Sequence, residues 1–276
     1  MRYRLVLPSP QLATYVRFYR VVGEGASVCA IHRAPCFPDG NVELVINVGD
    51  ALERSDGEGS AWQRVRTGHL LAGPADRAAA LQCRGRIAVV NVSFRPGGAL
   101  PFLGVPAGEI AGRWLGLEDL WPQADVRRLG ASSEQAPGSL VAAIEEALIR
   151  RLGNTSGPPA ALRLALRLID RARGRLAIAR LVSLLGISER SLERLFHDHV
   201  GLSPKRYGRV VRFRHALRAI QDGAALSSAA LVAGYYDQSH LTNEFRAIAG
   251  LAPTALLRAW RAGGFFQDGE RDALAN

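Results

Sequence analysis

Two segments of this 276-residue chain repeat one helical pattern and constrain the fold more than any other feature of the sequence. They are Leu176–His199 and Leu226–Ala249. In each segment an apolar helical stretch ends at a glycine, Gly186 or Gly234, and glycine readily adopts the left-handed backbone that terminates a helix. A residue able to cap a second helix follows, Ser188 in one segment and Asp237 in the other. The repeat therefore predicts two helix-turn-helix motifs in tandem.

Positive charge is concentrated around these motifs. The chain carries a net charge of +10, and residues 157–261 alone hold 17 Lys or Arg against 7 acidic residues. Residues 1–156 carry only +2, and residues 262–276 carry −2. Every basic residue except Lys205 is an arginine, which suits bidentate contacts to phosphate and guanine. A basic module beside a nearly neutral one indicates a polyanion such as DNA, with an acidic protein partner as the alternative.

A single helix is predicted between the two motifs. Ser203 supplies a capping hydroxyl and Pro204 a first-turn proline, and the helical pattern continues to about Gln221. Its roughly 18 residues span about 27 Å. Successive major-groove faces of B-DNA lie about 34 Å apart, so two docked motifs would require bent DNA or one loosely seated motif.

The amino-terminal half has a different pattern. Short β-branched and apolar runs, such as Val42–Val48 and Ile87–Phe94, alternate with Gly, Pro and Asp turns. This spacing predicts a barrel or sandwich of short strands. Helical patterns follow, short at Ala99–Leu103 and Leu117–Trp121, and longer and amphipathic at Ser139–Arg150.

The two motifs carry the most specific residue patterns in the sequence. The second contains Ala233-Gly234-Tyr235, Asp237-Gln238-Ser239-His240-Leu241 and Phe245, followed by Gly250-Leu251 and Pro253. The first contains Gly186-Ile187-Ser188, Arg190, Leu192, Arg194 and Phe196, followed by Gly201-Leu202-Ser203-Pro204-Lys205. Through these residues, positions 162–260 resemble the DNA-binding domain of the AraC/XylS family of bacterial regulators. The amino-terminal half resembles the sensor half of an uncharacterised AraC subgroup more loosely, through Pro38-Asp39-Gly40, Val42–Val45 and Phe94–Ala99.

The family resemblance implies roles for the outward residues of both motifs. Base-reading residues would be Arg190, Glu193, Arg194, Gln238, Ser239, His240 and Asn243. Arginine can pair with guanine, Gln or Asn with adenine, and Glu with cytosine. Many relatives carry a longer basic side chain where this chain has Asn243, so the resemblance does not fix the base preference of the second motif. Phosphate-contacting residues would be Ser188, Lys205, Arg206, Arg209, Arg212, Arg214, Asp237 and Arg246. Of the two tyrosines at the second turn, Tyr235 and Tyr236, at least one is expected in the core.

The predicted fold class is α+β with two domains. A β-rich, barrel or cupin-like sensor domain with helices occupies 1–153, and an all-α domain with two helix-turn-helix motifs occupies 161–261. The Gly- and Pro-rich segment 154–160 is the predicted linker, and 262–276 is expected to be a flexible tail. No apolar run approaches the roughly 18 residues of a membrane span, and Pro8 comes too early for a secretory signal. We therefore expect a cytoplasmic protein.

The expected partners follow from this organisation and from the resemblance. They are double-stranded DNA, a small-molecule effector of unknown identity, RNA polymerase and a second copy of the chain. Ser139–Leu152 is the candidate dimer surface, although its apolar stripe of Leu140, Val141, Ile144 and Leu148 could instead pack on the barrel. No membrane partner is expected.

Metal and enzyme alternatives concern the amino-terminal half. Four residues, Cys29, His32, Cys36 and Cys83, could form a zinc or soft-metal site, whereas buried thiols are the simpler interpretation. Asp39 and Glu43 could belong to a ligand site, although Asp39 is also an ordinary turn residue. No nucleophile with a base, carboxylate pair or phosphate-cradling glycine loop stands at convincing spacing. We expect no metal, cofactor or catalysis, with a metal-dependent enzyme fused to a DNA anchor as the alternative.

Overall fold

The structure, a computed structural model, describes residues 3–23, 31–56, 60–65, 68–132, 137–153, 155 and 157–261. The predicted tail at 262–276 and Cys29 lie outside this set, as does the side chain of His32. Strands dominate the first part of the described chain and helices the second, as the sequence predicts.

The amino-terminal domain is built from two antiparallel sheets. Its strands are β1 (Tyr3–Val6), β2 (Val16–Val22), β3 (Ile31–Cys36), β4 (Glu43–Asn47), β5 (Leu52–Ser55), β6 (Gln63–Arg64), β7 (His69–Ala72), β8 (Ala79–Arg84), β9 (Val89–Phe94) and β10 (Trp114–Gly116). The larger sheet has the order β1-β2-β9-β4-β7-β10 and the smaller has the order β3-β8-β5-β6. Short strands with regular turns therefore form the predicted β-rich fold, and this amino-terminal domain is called the sensor domain after its expected role.

Side-chain alternation gives the larger sheet two apolar faces. On β4, Leu44 and Ile46 belong to a core shared with helices, whereas Val45 belongs to a cluster shared with the smaller sheet. Leu52 and Cys83 supply the smaller sheet's part of that second cluster. The larger sheet is thus covered by helices on one face and by the smaller sheet on the other.

The helices follow in chain order. They are α1 (Leu100–Leu103), α2 (Gln123–Ser132), α3 (Pro137–Leu152), α4 (Ala160–Arg171), α5 (Ile178–Leu185), α6 (Glu189–His199), α7 (Pro204–Gln221), α8 (Leu226–Ala233), α9 (Gln238–Ala249) and α10 (Pro253–Arg261), with 3-10 turns at Ala107–Ile110 and Leu117–Asp119. Within the described ranges, no helix combines the length and apolar character that a membrane crossing demands.

The apolar stripe of α3 corrects one expectation. Leu140, Val141, Ile144 and Leu148 are all buried in the core that α3 shares with the larger sheet. The stripe was the candidate dimer surface, but burial within its own domain removes it from any exposed contact. The alternative, packing on the barrel, is the arrangement observed.

The α7 helix joins two small cores in the carboxy-terminal domain. Its first half, including Tyr207 and Val210, packs with α4, α5 and α6. Its second half, including Phe213 and Ile220, packs with α8, α9 and α10. Each helix-turn-helix motif therefore has its own core, and one continuous helix fixes the spacing between them.

Candidate nucleic-acid interface and effector cavity

The first motif is held by the local signals seen in the sequence. Gly186 ends α5 with φ of 65°, in the left-handed region. The Ser188 hydroxyl accepts a hydrogen bond from the backbone N–H of Ser191 at 3.1 Å and caps α6. Leu192 and Phe196 are fully buried. The opposite face of α6 is exposed, and it carries Arg190, Glu193 and Arg194.

The second motif repeats this construction. Gly234 ends α8 with φ of 79°, and the Asp237 carboxylate accepts a hydrogen bond from the His240 backbone N–H at 2.7 Å. Leu241 and Phe245 are fully buried and anchor α9. The residues predicted to read bases, Gln238, Ser239, His240 and Asn243, are all exposed. Both sets thus have the accessibility that contact with base edges requires.

The two tyrosines at the second turn have opposite environments. Tyr235 is 3% exposed, and its ring packs edge-on against the His240 ring with centroids 5.3 Å apart. Tyr236 is 93% exposed. The expectation that at least one ring enters the core is confirmed for Tyr235, which also helps to orient His240 at the start of α9.

The predicted phosphate-contacting residues fall into two groups. Lys205 and Arg246 are exposed, and Ser188 and Asp237 face solvent while capping α6 and α9. Three of the others are engaged inside the protein or are partly covered. Arg209 makes an ion pair with Glu244 through two hydrogen bonds of 2.8 and 3.1 Å. Arg212 donates to the Gly174 carbonyl at 3.1 Å and lies over the Tyr235 ring. Arg214 is half-buried. Arg209 and Arg212 therefore brace the domain in this structure.

Arg206 has a partner from the sensor domain. Its Nε donates to the Asp76 carboxylate at 2.8 Å, and Asp76 lies in the loop between β7 and β8. The guanidinium lowers the pKa of Asp76 through this hydrogen bond and through its charge, which outweigh the opposing effect of burial. The ion pair occupies a residue that the family resemblance places on DNA phosphate.

The sensor domain contacts both recognition helices at their carboxyl ends. At α6, His199 lies beside Gly97, where an added Cβ would stand 3.8 Å from the His199 Cβ, and the His197 ring lies so close to Gly108 that it leaves no room for a Cβ there. At α9, the Ala78 backbone N–H donates to the Ile248 carbonyl at 2.6 Å. The amino-terminal halves of both helices, where bases would be read, remain exposed.

A cavity of about 130 Å³ lies between the two sheets of the sensor domain. Most of its wall is apolar, including Val22, Val45, Leu52, Ile87 and Trp114. A cavity of this size compares with the roughly 150 Å³ engineered cavity that holds benzene. The space fits a small organic molecule.

One part of the cavity wall is polar. Arg20, Asp39, Glu43 and Asn91 line it together. Arg20 is 8% exposed, and among the described residues its Nε has no hydrogen-bond partner. Burial raises the pKa of Glu43 to about 8, and the negative charge of Asp39 adds to this effect. The positive charge of Arg20 acts in the opposite direction. A ligand would therefore meet a guanidinium donor and a carboxyl group that is mostly protonated at neutral pH.

Asp39 is a turn residue and also lies in the cavity wall. Its carboxylate accepts from the backbone N–H of Asn41 at 2.9 Å and from the Asn41 side chain at 2.6 Å, as expected of a turn residue. It also lines the cavity beside Glu43. The turn and the cavity wall thus share this residue.

The cysteines in the described part of the chain line the same cavity. Cys36 and Cys83 both face it, and burial raises the pKa of Cys36 to about 12. The described residues contain no group of three His, Cys, Asp or Glu side chains that could hold a metal ion. Cys83 is buried and Cys36 is partly buried, while Cys29 and the His32 side chain lie outside the described set.

Three residues at functional positions were not found from the sequence. Arg20 carried a usable signal, because it lies between Phe18 and Val22 on one face of a strand, a charged side chain among apolar ones. Phe37 and Asp76 carried none, since their partners Phe213 and Arg206 lie more than a hundred residues away.

Two capped helix-turn-helix motifs, joined by one rigid helix and exposing polar recognition faces, define a class of double helix-turn-helix DNA-binding proteins. A helix-turn-helix domain family matches residues 181–259, and a domain family of unknown function, DUF6597, matches residues 4–115. The helix-turn-helix domain of this chain, matched over residues 181–259, is of the AraC type.

Individual proteins are similar to this chain in sequence or in fold. The chain is 34% identical over 91 residues to the HTH-type transcriptional regulator GlxA of Rhizobium meliloti, an alignment that covers 33% of this chain and 27% of GlxA. The structure of ToxT from Vibrio cholerae is similar at 12% identity, with a TM-score of 0.50, over 87% of this chain and 97% of ToxT. A probable AraC family regulator from Rhodopseudomonas palustris is 30% identical, with a TM-score of 0.33, over 37% of this chain and 97% of that protein. The likeness to ToxT extends the shared fold across both domains.

Proposed function

We propose that this protein regulates transcription by binding specific double-stranded DNA through both motifs, under the control of a small molecule in the sensor cavity. The observation that carries the proposal is the pair of capped recognition helices, α6 and α9, whose polar amino-terminal halves are exposed on the basic domain. That domain holds 17 basic residues against 7 acidic ones within residues 157–261. A cytoplasmic location and contact with RNA polymerase accompany this function in the proposal.

The exposed residues divide by the chemistry of their side chains. Arg190, Glu193 and Arg194 would read bases from α6, and Gln238, Ser239, His240 and Asn243 would do so from α9. Lys205 and Arg246 are free to contact phosphates at the motif borders, and Arg206 would do so once released from Asp76. Ser188 and Asp237 act through the helix amino termini that they cap, since backbone N–H groups there attract phosphate.

The sensor cavity supports the second half of the proposal. It combines an apolar wall with a buried Arg20 that has an unpartnered Nε among the described residues. A buried donor without a partner costs free energy, which a ligand with an acceptor group would recover. A small molecule with an apolar body and one hydrogen-bond acceptor fits this environment.

The first experiment selects DNA sites from a random-sequence library and measures affinity across a salt series. Binding constants are expected to fall linearly on a log–log plot, by about 0.9 log units per log of salt for each phosphate neutralised. A response to salt that is flat would contradict DNA as the partner. Capture of an acidic protein with no selected DNA site would favour the protein-interaction alternative.

The enzyme alternative is tested separately by metal analysis of the purified protein. A metal-dependent enzyme requires a stoichiometric ion held by three or more side chains. We expect substoichiometric metal and unchanged DNA affinity after chelation. A full equivalent of bound iron or zinc would support a metal-dependent sensor domain instead.

A further inference from the structure

Phe37 lies where the sensor cavity meets the second helix-turn-helix motif. It directly follows β3, lines the cavity and is 8% exposed. Its ring centroid is 6.2 Å from that of Phe213 in α7, and Phe213 is 4.8 Å from Phe245 in α9. Three rings thus run without a break from the cavity wall to the second recognition helix.

The surroundings of Phe37 belong almost entirely to the other domain. The buried cluster that contains Phe37 is otherwise formed by residues of α7, α8, α9 and α10, with Ala78 of the sensor domain packed at its edge. Phe213 and Phe245 are fully buried in that cluster. Because protein interiors are close-packed, a displaced Phe37 ring must move its neighbours.

The first motif contacts different parts of the sensor domain. Gly97, which lies beside His199, and Gly108, which lies against His197, are not part of the cavity wall. A change in the cavity therefore has a direct packing route to α9 through Phe37, and the contacts to α6 bypass the cavity.

We propose that Phe37 is a positioning residue that couples the contents of the sensor cavity to the placement of the second recognition helix. Filling the cavity displaces the Phe37 ring, loosens α7 and α9 from the sensor domain and raises DNA affinity through the second motif alone. The gain in affinity follows because the docked arrangement holds α9 to the sensor domain through the hydrogen bond from Ala78 to the Ile248 carbonyl, and release lets α9 seat in its groove. The inference rests on the proposed DNA-binding function for its readout.

The test compares the full-length protein and its variants on two duplexes, the selected site and the same site with the second motif's half scrambled. Phe37→Leu removes the ring contact with Phe213, and Val89→Phe fills the cavity from its wall without any ligand. Each is expected to raise affinity for the intact site about threefold or more, and to leave the scrambled site unchanged. The double variant should show no larger gain in affinity for the intact site than Phe37→Leu alone, because both substitutions act through the Phe37 ring.

Phe102→Leu is the matched control. Phe102 is equally buried, but it packs in the core beside α3 and lies outside the cavity wall. The Phe102→Leu variant should lower the melting temperature without changing DNA affinity for either duplex. This result separates loss of stability from loss of coupling. If Val89→Phe does not fold, Leu52→Phe fills the same cavity from the smaller sheet.

Three results would overturn the inference. They are equal affinity changes on both duplexes, additive effects of Val89→Phe and Phe37→Leu, and unchanged affinity in folded Phe37→Leu. Failure of the wild-type protein to bind any selected duplex is a different outcome, since it overturns the proposed function on which the inference rests.

Discussion

Arg194 and Arg206 differ in what occupies their guanidinium groups. Arg194 is exposed on the recognition face of α6, whereas Arg206 donates to Asp76 of the sensor domain. Gln238 is the first residue of α9 and is exposed. Arg194 and Gln238 can therefore contact DNA as they stand, whereas Arg206 must first leave Asp76.

Alanine substitutions separate base reading from phosphate contact. Arg194→Ala and Gln238→Ala should each cost about 1–3 kcal/mol on the selected site, because a bidentate pair with a base is lost. Affinity for random DNA should change little. Equal losses on selected and random DNA, measured by fluorescence anisotropy, would reassign these residues to phosphate contact.

Asp76→Asn should strengthen DNA binding by releasing Arg206. The freed guanidinium can neutralise one more phosphate, so the salt dependence should steepen by about 0.9 in the log–log slope. Asp56→Asn is the control. This substitution removes the same charge, but Asp56 pairs with Arg54 within the sensor domain. An identical slope in wild-type protein and Asp76→Asn would contradict competition between Asp76 and DNA.

Glu43 gives the sensor domain a characteristic dependence on pH. Its pKa of about 8 lies above the ordinary carboxyl value, so the folded state holds a proton that the unfolded state releases. The free energy of unfolding should therefore fall as pH rises from about 4.5 to about 8 and then level off. Glu43→Gln should lose this component, as measured by urea unfolding at a series of pH values. Parallel pH profiles for the two proteins would contradict a raised pKa.

The α7 helix sets the geometry of DNA binding at the scale of elements. It contains 18 residues, Pro204–Gln221, as the sequence predicts, and Ser203 caps it through a hydrogen bond from the Arg206 backbone N–H. The Arg209–Glu244 ion pair ties it to α9 at 2.8 Å. The connector is thus short and braced, which limits independent movement of the second motif.

Docking of both motifs should therefore bend the DNA. The helix spans about 27 Å at 1.5 Å per residue, less than the roughly 34 Å between successive major-groove faces. Circularly permuted fragments carrying the selected site should migrate differently according to the position of the site. Straight DNA with both grooves protected would contradict this geometry and leave the family assignment unchanged.

The features most predictable from the sequence were those that depend on neighbouring residues in the chain. Gly186, Ser188 and Asp237 fix helix ends by local backbone geometry and short-range hydrogen bonds, so their roles were predictable. The α3 stripe was recognisable as apolar, but its burial against the larger sheet depends on tertiary packing. An apolar periodicity specifies a buried face without specifying what covers it.

At the scale of the whole molecule, the sensor domain restrains the carboxyl ends of both recognition helices and leaves their amino-terminal halves exposed. The contacts at His199 and Ile248 and the Asp76–Arg206 ion pair join elements distant in sequence. Such pairings depend on how strands and helices are arranged in space, and for that reason the interface between the domains could not be predicted from the sequence. The outward residues of α6 and α9 could be predicted, because helical periodicity alone separates them from the buried residues Leu192 and Phe245.

Groove-specific methylation interference on the selected site tests the central claim most directly. Wild-type protein should show interference in two successive major grooves on one face of the DNA, since α6 and α9 each occupy one. Arg194→Ala should lose contacts in one groove and Gln238→Ala in the other. Interference in a single groove, or loss of the same contacts in both variants, would contradict a regulator that binds DNA with both motifs.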